Sequence, residues 1–218
     1  MEITYVGHAC FKIKGKEHTL VIDPYDPKKT GYKLPKLEAD IVLSTHQHFD
    51  HNYIEGVTGY SLLIDGPGEY ETKNTFIYGI PTYHDDKEGK DRGENTMYLI
   101  EIEGFTVLHA GDLGHDLSKE TLEKIAGVDV LLIPVGGTYT IDAKTAVKVI
   151  SSLEPGIVVP MHFQTEDLTD LSKDLDSVDK FLDEMGVEDT AKKQDKLKIS
   201  SRSEIPEETE VVILTPQR

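Results

Sequence analysis

Residues 45–51 read Thr45-His46-Gln47-His48-Phe49-Asp50-His51, directly behind the apolar run Ile41-Val42-Leu43. The core of that stretch, H-x-H-x-D-H, packs three imidazoles and a carboxylate into six residues. These are the ligand types suited to zinc and similar divalent metals. With nine histidines in 218 residues, chance would give such a pattern only about once in a thousand sequences. Side chains one residue apart point the same way on an extended segment, and adjacent ones diverge. His46 and His48 are therefore expected to hold one metal ion, with Asp50 and His51 turned toward a second.

Four later segments each carry an apolar run into a polar or turn residue. Ile77-Tyr78-Gly79-Ile80-Pro81-Thr82-Tyr83 leads into His84, and Phe105-Thr106-Val107-Leu108-His109-Ala110-Gly111 leads into Asp112. Val130-Leu131-Leu132-Ile133-Pro134-Val135 ends in Gly136-Gly137, and Ile157-Val158-Val159-Pro160-Met161 is followed by His162. These motifs, in this order, resemble the metallo-β-lactamase superfamily over roughly residues 1–163. The opening Tyr5-Val6-Gly7-His8-Ala9-Cys10-Phe11 and the stretch His109-Ala110-Gly111-Asp112 are similar to its branch of ascorbate-phosphate lactonases and N-acylethanolamine phospholipase D-like hydrolases.

The resemblance implies an α/β fold, the four-layer αββα sandwich, with a one- or two-metal site at one sheet edge. Carried over residue by residue, it puts His46, His48 and His84 on a first ion and Asp50, His51 and His162 on a second. Asp112 would bridge the two. The implied cofactors are two divalent metal ions, zinc first, with manganese or ferrous iron as alternatives. Asp23, at the end of the apolar segment His18–Asp23, resembles an aspartate that supports the metal loop.

Two such ions, about 3.5–4 Å apart, can share a hydroxide and lower the pKa of water toward neutrality. The expected function is therefore a binuclear metallo-hydrolase attacking a small ester-like substrate, a lactone or a phosphodiester. Asp50 would orient the nucleophile, and Tyr139, just after the glycine pair, could reach over the metals and donate a proton. His109 lies three residues before Asp112 on one strand, so the two side chains take opposite faces. It is expected to contact a ligand or the pocket wall instead of a metal. His8 would line the pocket or hydrogen-bond the metal loop, while His18 and His115 are expected on the surface. Asp85, Asp86, Arg92 and Asn95 fall where a substrate loop would lie, and each reads as part of a solvated loop. Two other functions stay open: an iron-dependent thiol or persulfide dioxygenase-like enzyme, and a non-catalytic metal-binding protein. Flavodiiron members of the superfamily carry Glu where this chain has His48, and a flavodoxin domain besides.

Composition bounds the partners. A chain of 218 residues needs no more than one domain, residues 1–218. Its 40 acidic and 23 basic residues leave a net charge of −17, which disfavours nucleic acid and anionic membranes. A small-molecule substrate is the expected partner, with a homo-oligomer left open. The single cysteine, Cys10, excludes an internal disulfide and reads as a small core residue. Met1 leads into a strand instead of a charged and apolar leader, and no apolar run approaches about 20 residues. A cytoplasmic location is expected.

Alternation predicts a strand over Ile3–Ile13, and Met97–Ile102 with Phe105–His109 reads as a hairpin closed by Glu103-Gly104. Ser118 and Asp142 are expected to cap helices over Lys119–Ala126 and Ala143–Leu153. Leu171, Leu175, Val178, Leu182 and Met185 recur at helical spacing and predict a helix over 168–186. Residues 187–196 read as a surface loop, followed by short strands at Lys196–Ser200 and Glu210–Leu214.

Overall fold

Apolar residues in the first segments repeat every second position, which on a strand sends them to one face. In the computed structural model, which describes residues 1–125, 127–166 and 169–217, that face is one wall of a two-sheet sandwich. The first sheet has six strands in the order Leu197–Lys198, Glu2–Gly7, Cys10–Lys14, Thr19–Ile22, Ile41–Leu43 and Leu62–Ile64. The second has eight: Lys192–Gln194, Glu210–Leu214, Ile157–Met161, Val130–Pro134, Phe105–His109, Glu94–Ile102, Thr75–Tyr83 and Gly68–Thr72. Ile3, Tyr5, Phe11 and Ile13 of the first sheet meet Tyr98, Ile100, Val107 and Leu132 of the second in a common buried core.

The outer faces differ. Leu108, Leu131, Ile133 and Val158 on the second sheet pack under Ala146, Val149 and Ile150 of the Ala143–Leu153 helix and Phe181 and Leu182 of the Val178–Met185 helix. Buried on both sides, Val130–Pro134 and Ile157–Met161 are continuously apolar, as central parallel strands must be. The first sheet is covered instead by loops carrying Tyr25 and Tyr32, with only a four-residue helix, Pro27–Thr30. Cys10 is fully buried there. The αββα order holds, with one outer layer reduced to that short helix and loops.

Strand direction decides where ligands can meet. Thr75–Tyr83 and Phe105–His109 both run antiparallel to Glu94–Ile102, so their C-termini leave the same edge. Val130–Pro134 and Ile157–Met161 run parallel to Phe105–His109 and end there too. His84, Asp112, Gly136 and His162 thus arrive together.

Several expectations are corrected. The Ile3–Ile13 run is two antiparallel strands that reverse at Gly7-His8-Ala9, where Gly7 has φ 133° and His8 φ 56°. The helix after Ser118 stops at Lys124, and Ala126 lies outside the described residues. The last helix starts only at Val178; Leu168 also lies outside them. Ahead of it, Asp176 N–H donates to Gly136 O and Gln164 pairs with Ser177, which holds residues 169–176 in turns. Leu171 therefore packs toward the first sheet's outer cluster, away from the helix face it was expected to share. Residues 192–194, expected as loop, add an edge strand parallel to Glu210–Leu214. Edge position explains the lysines there, since one side of the strand faces water.

Candidate metal centre

The loop after Ile41–Leu43 is folded around one buried aspartate. Asp23 takes Thr45 N–H at 2.8 Å, Thr45 Oγ1 at 2.7 Å and His51 Nδ1 at 2.8 Å. Thr45 Oγ1, donating to Asp23, accepts from His46 Nδ1 at 3.0 Å. With Nδ1 so engaged on both rings, His46 and His51 present Nε2 to the site, an arrangement that fixes tautomer and ring orientation for a metal ligand. Ser44 Oγ adds bonds to the carbonyls of His46 and His51 at 2.8 and 3.2 Å.

Asp112 is held from the opposite sheet. Its N–H donates to Asn95 Oδ1 at 2.9 Å, while Asn95 Nδ2 donates to Ala110 O at 3.0 Å and Thr82 Oγ1 at 2.8 Å. Gly111 in between has φ 58° and no room for a side chain, since a Cβ would lie 2.8 Å from Thr45 Cβ. The turn thus needs glycine twice over.

The Asp112 carboxylate then sits at the centre of four imidazoles. Its Oδ2 lies 3.1 Å from His84 Nε2, 3.2 Å from His51 Nε2, 3.4 Å from His162 Nε2 and 3.9 Å from His46 Nε2. A carboxylate oxygen has two lone pairs and cannot accept from all four. His46 Nε2, His51 Nε2 and Asp112 Oδ1 are buried and make no well-formed hydrogen bond within the protein. Buried polar atoms are rarely left so, and a cation between them would satisfy the whole set. The ligand atoms fall into an outer group, His46, His48 and His84, and an inner group, His8, Asp50, His51 and His162. His46 and His51 also group with Asp112. The donor set of neutral imidazole with carboxylate fits zinc and similar ions.

His8 belongs to the inner group because of the reversal at Gly7–Ala9. Its Nε2 is 3.1 Å from Asp50 Oδ2, and its carbonyl accepts His162 N–H at 2.9 Å and Tyr5 OH at 2.8 Å. His8, Asp23 and His162 all have φ between 50° and 56°, a conformation costly for residues with side chains and concentrated where function over-determines the backbone.

Burial and charge set the protonation. Burial, helped by His162, lowers the His8 pKa to about 4, and burial likewise takes His46 well below and His48 below the ordinary imidazole value. Burial pushes His51 the same way, but Asp112, Asp50 and Asp23 outweigh it and carry its pKa well above that value. Burial would raise Asp112 and Asp50, yet His162 and His51 hold the former, and His51 and His8 the latter, far below the carboxylate range. A cation entering the centre must therefore displace the His51 proton, which makes its affinity rise with pH.

A cavity of about 370 Å³ opens over these groups, with Phe49, Leu171, Tyr139 and Arg92 among its walls. Tyr139 is half-buried at that wall. His109 is not in the cavity: its Nε2 bonds Ala9 O at 2.9 Å and its Nδ1 accepts Gly111 N–H at 3.1 Å. Both ring nitrogens serve backbone, and through Gly111 N–H the ring bonds the Asp112 turn. His18, expected on the surface, is buried in the turn where Gly15 N–H meets its carbonyl at 2.8 Å. His115 is half-buried and accepts Tyr83 N–H at 3.2 Å. Asp85 and Asn95 are buried, not solvated, whereas Asp86 and Arg92 are exposed. Asn95 reads as loop from a strand starting at Met97, but the strand begins at Glu94 and carries Asn95 into the sheet. Gly7 inside an alternating run was the available signal for His8, as an isolated strand glycine marks a bulge or bend.

The sequence profile of the β-lactamase superfamily domain matches residues 2–162. The chain belongs to the metallo-β-lactamase superfamily. Its match ends on His162, the last of the converging ligands. A UPF0173 metal-dependent hydrolase of Thermococcus onnurineus is 32% identical over 195 residues, 76% of this chain and 85% of that one. Another, of Thermoplasma volcanium, is 32% identical over 196 residues, 77% and 86% of the two chains. The crystal structure of a superfamily member from Thermotoga maritima superposes with TM-score 0.78 at 35% identity, over 98% of this chain and 97% of that one.

Proposed function

We propose that this metal-dependent hydrolase works with two divalent ions, zinc foremost, on a small ester-like substrate, a lactone or a phosphodiester. The observation that carries the reading is Asp112 Oδ2 within 3.1–3.9 Å of four imidazole nitrogens from three separate segments, the 45–51 loop supplying two of them. His46, His48 and His84 would hold one ion, and Asp50, His51 and His162 the other, with Asp112 between. When bound, the ions supply a water acidic enough to ionise near neutral pH and stabilise charge developing on the substrate.

The chain's own residues supply the rest. Asp50, kept ionised by His51 and His8, lines the cavity and would orient the attacking water. Tyr139, at the cavity wall, would return a proton to the leaving oxygen. A cavity of about 370 Å³ suits a small molecule, and the −17 charge favours one over nucleic acid or a membrane surface. Among the described residues no helix is long and apolar enough to cross a membrane.

Elemental analysis of purified protein should find about two divalent ions per chain. A panel of lactones and phosphodiesters should be hydrolysed, with activity lost on chelation and restored by zinc. A silent panel with oxygen consumed in the presence of a thiol would replace the hydrolase by an iron oxygenase.

A further inference from the structure

Among the described residues lining the metal cavity, Arg92 is the only lysine or arginine. In a chain of net charge −17 that placement calls for a reason. Its position is fixed from below. Asp85 accepts the N–H groups of Lys87, Gly89, Asp91 and Arg92 at 2.8–2.9 Å, so one buried carboxylate gathers the loop 85–92. Burial opposes the charge on Asp85, but those four bonds outweigh it and bring its pKa to about 2.

The guanidinium is fixed from the side. Nη2 donates to Thr138 O at 3.1 Å, and the group stacks over the Tyr139 ring at 5.8 Å. Thr138 is itself tied by Oγ1 to Asp174 O at 2.6 Å. One carbonyl takes one of five donors. Among the described residues no carboxylate pairs with the Arg92 side chain, in contrast to Lys29 nearby, which sits 3.9 Å from Asp26. Planar donors left free beside a cavity match an oxyanion in bidentate fashion.

We propose that Arg92, stacked on Tyr139, is the seat for an oxyanion of the substrate, phosphoryl or carboxylate, and so selects anionic esters over neutral ones. This deepens the hydrolase reading and rests on it for the word ester alone. Arg92 is here a specificity residue, holding the substrate without touching the proton transfers.

The test compares zinc-loaded wild type with Arg92→Gln and Arg92→Lys on bis(p-nitrophenyl) phosphate and on neutral p-nitrophenyl acetate. In Arg92→Gln the ratio of kcat/KM for the anionic to the neutral ester should fall about tenfold or more, mainly through KM, with partial recovery in Arg92→Lys. A ratio that stays put, or an equal loss on both esters, overturns the proposal. Calorimetric titration of the same proteins with inorganic phosphate and with acetate separates the two oxyanions. It also decides the seat when neither ester turns over, an outcome that counts against the hydrolase reading alone. Affinity for one anion about tenfold weaker in Arg92→Gln keeps the seat, and equal affinities for both remove it.

Discussion

The two halves of the centre are built differently. In the inner group, His8, Asp50, His51 and His162 are all buried. Asp23 braces the His51 ring and His8 and Asp50 bond each other, while His162 is held by its backbone N–H on the His8 carbonyl and its Nδ1 makes no hydrogen bond. In the outer group His48 is exposed and His84 Nδ1 has no partner, leaving His46, through Thr45, as the one braced ring. Support from behind the ligands raises affinity and fixes geometry. The inner group is therefore the more enclosed and braced, and the outer one, with His48 exposed, is open to solvent. On the proposed two-ion reading, one ion would be retained while the other stayed accessible.

The strongest way to break that contrast is to remove the residue shared by both halves. Asp112→Ala should lose most of both ions by elemental analysis and lower turnover by about a thousandfold or more. Retention of one full ion would show that Asp112 serves a single half. Asp23→Asn should weaken one ion alone, by about 10–100-fold in chelator competition. Loss of both ions in parallel, or of the outer first, would erase the distinction between them.

A smaller effect sharpens the contrast through pH. In metal-free protein His8, with a pKa of about 4, stays neutral where the unfolded chain's imidazole, near 6.5, takes up a proton. The unfolded state binds more protons between those values, so stability from this group is full above pH 6.5 and falls as pH drops toward 4. Between pH 7 and pH 5 the loss is about 2 kcal/mol. His51, shifted upward, acts with the opposite sign, so the contribution is isolated as a difference. Urea unfolding at both pH values should show His8→Gln losing about 2 kcal/mol less than wild type. Equal slopes would mean that His8 is not held neutral.

Much of this centre can be read from the chain because its ligands end strands, and strands are legible by period. His46, His48, Asp50 and His51 announce themselves by spacing, and His84, Asp112 and His162 by the apolar runs before them. What spacing does not show is set by reversals and pairings. His8 reaches the centre only because Gly7 breaks an alternating run, and Asn95 only because Glu94 pairs with Tyr83 and begins its strand three residues early. Asp85 looks like one acid among many until its four N–H bonds are seen. The 168–186 helix failed for a related reason: Leu171 and Leu175 keep helical spacing, yet the segment is held by Gly136 in turns. Periodicity reports which residues are buried, not which neighbour buries them.

The loop that Asp85 gathers has a consequence for how such a protein can change. Asp86, Lys87, Glu88, Lys90 and Asp91 are exposed, and what fixes the loop is the N–H groups of Lys87, Gly89, Asp91 and Arg92, drawn to one carboxylate. Their side chains can be exchanged as a block while the anchor stands, with the ligands and the sheet edge untouched. The surface around the mouth is thereby separable from the machinery beneath it: a cassette on a single pin, in which new substrate preferences can be written without rebuilding the centre.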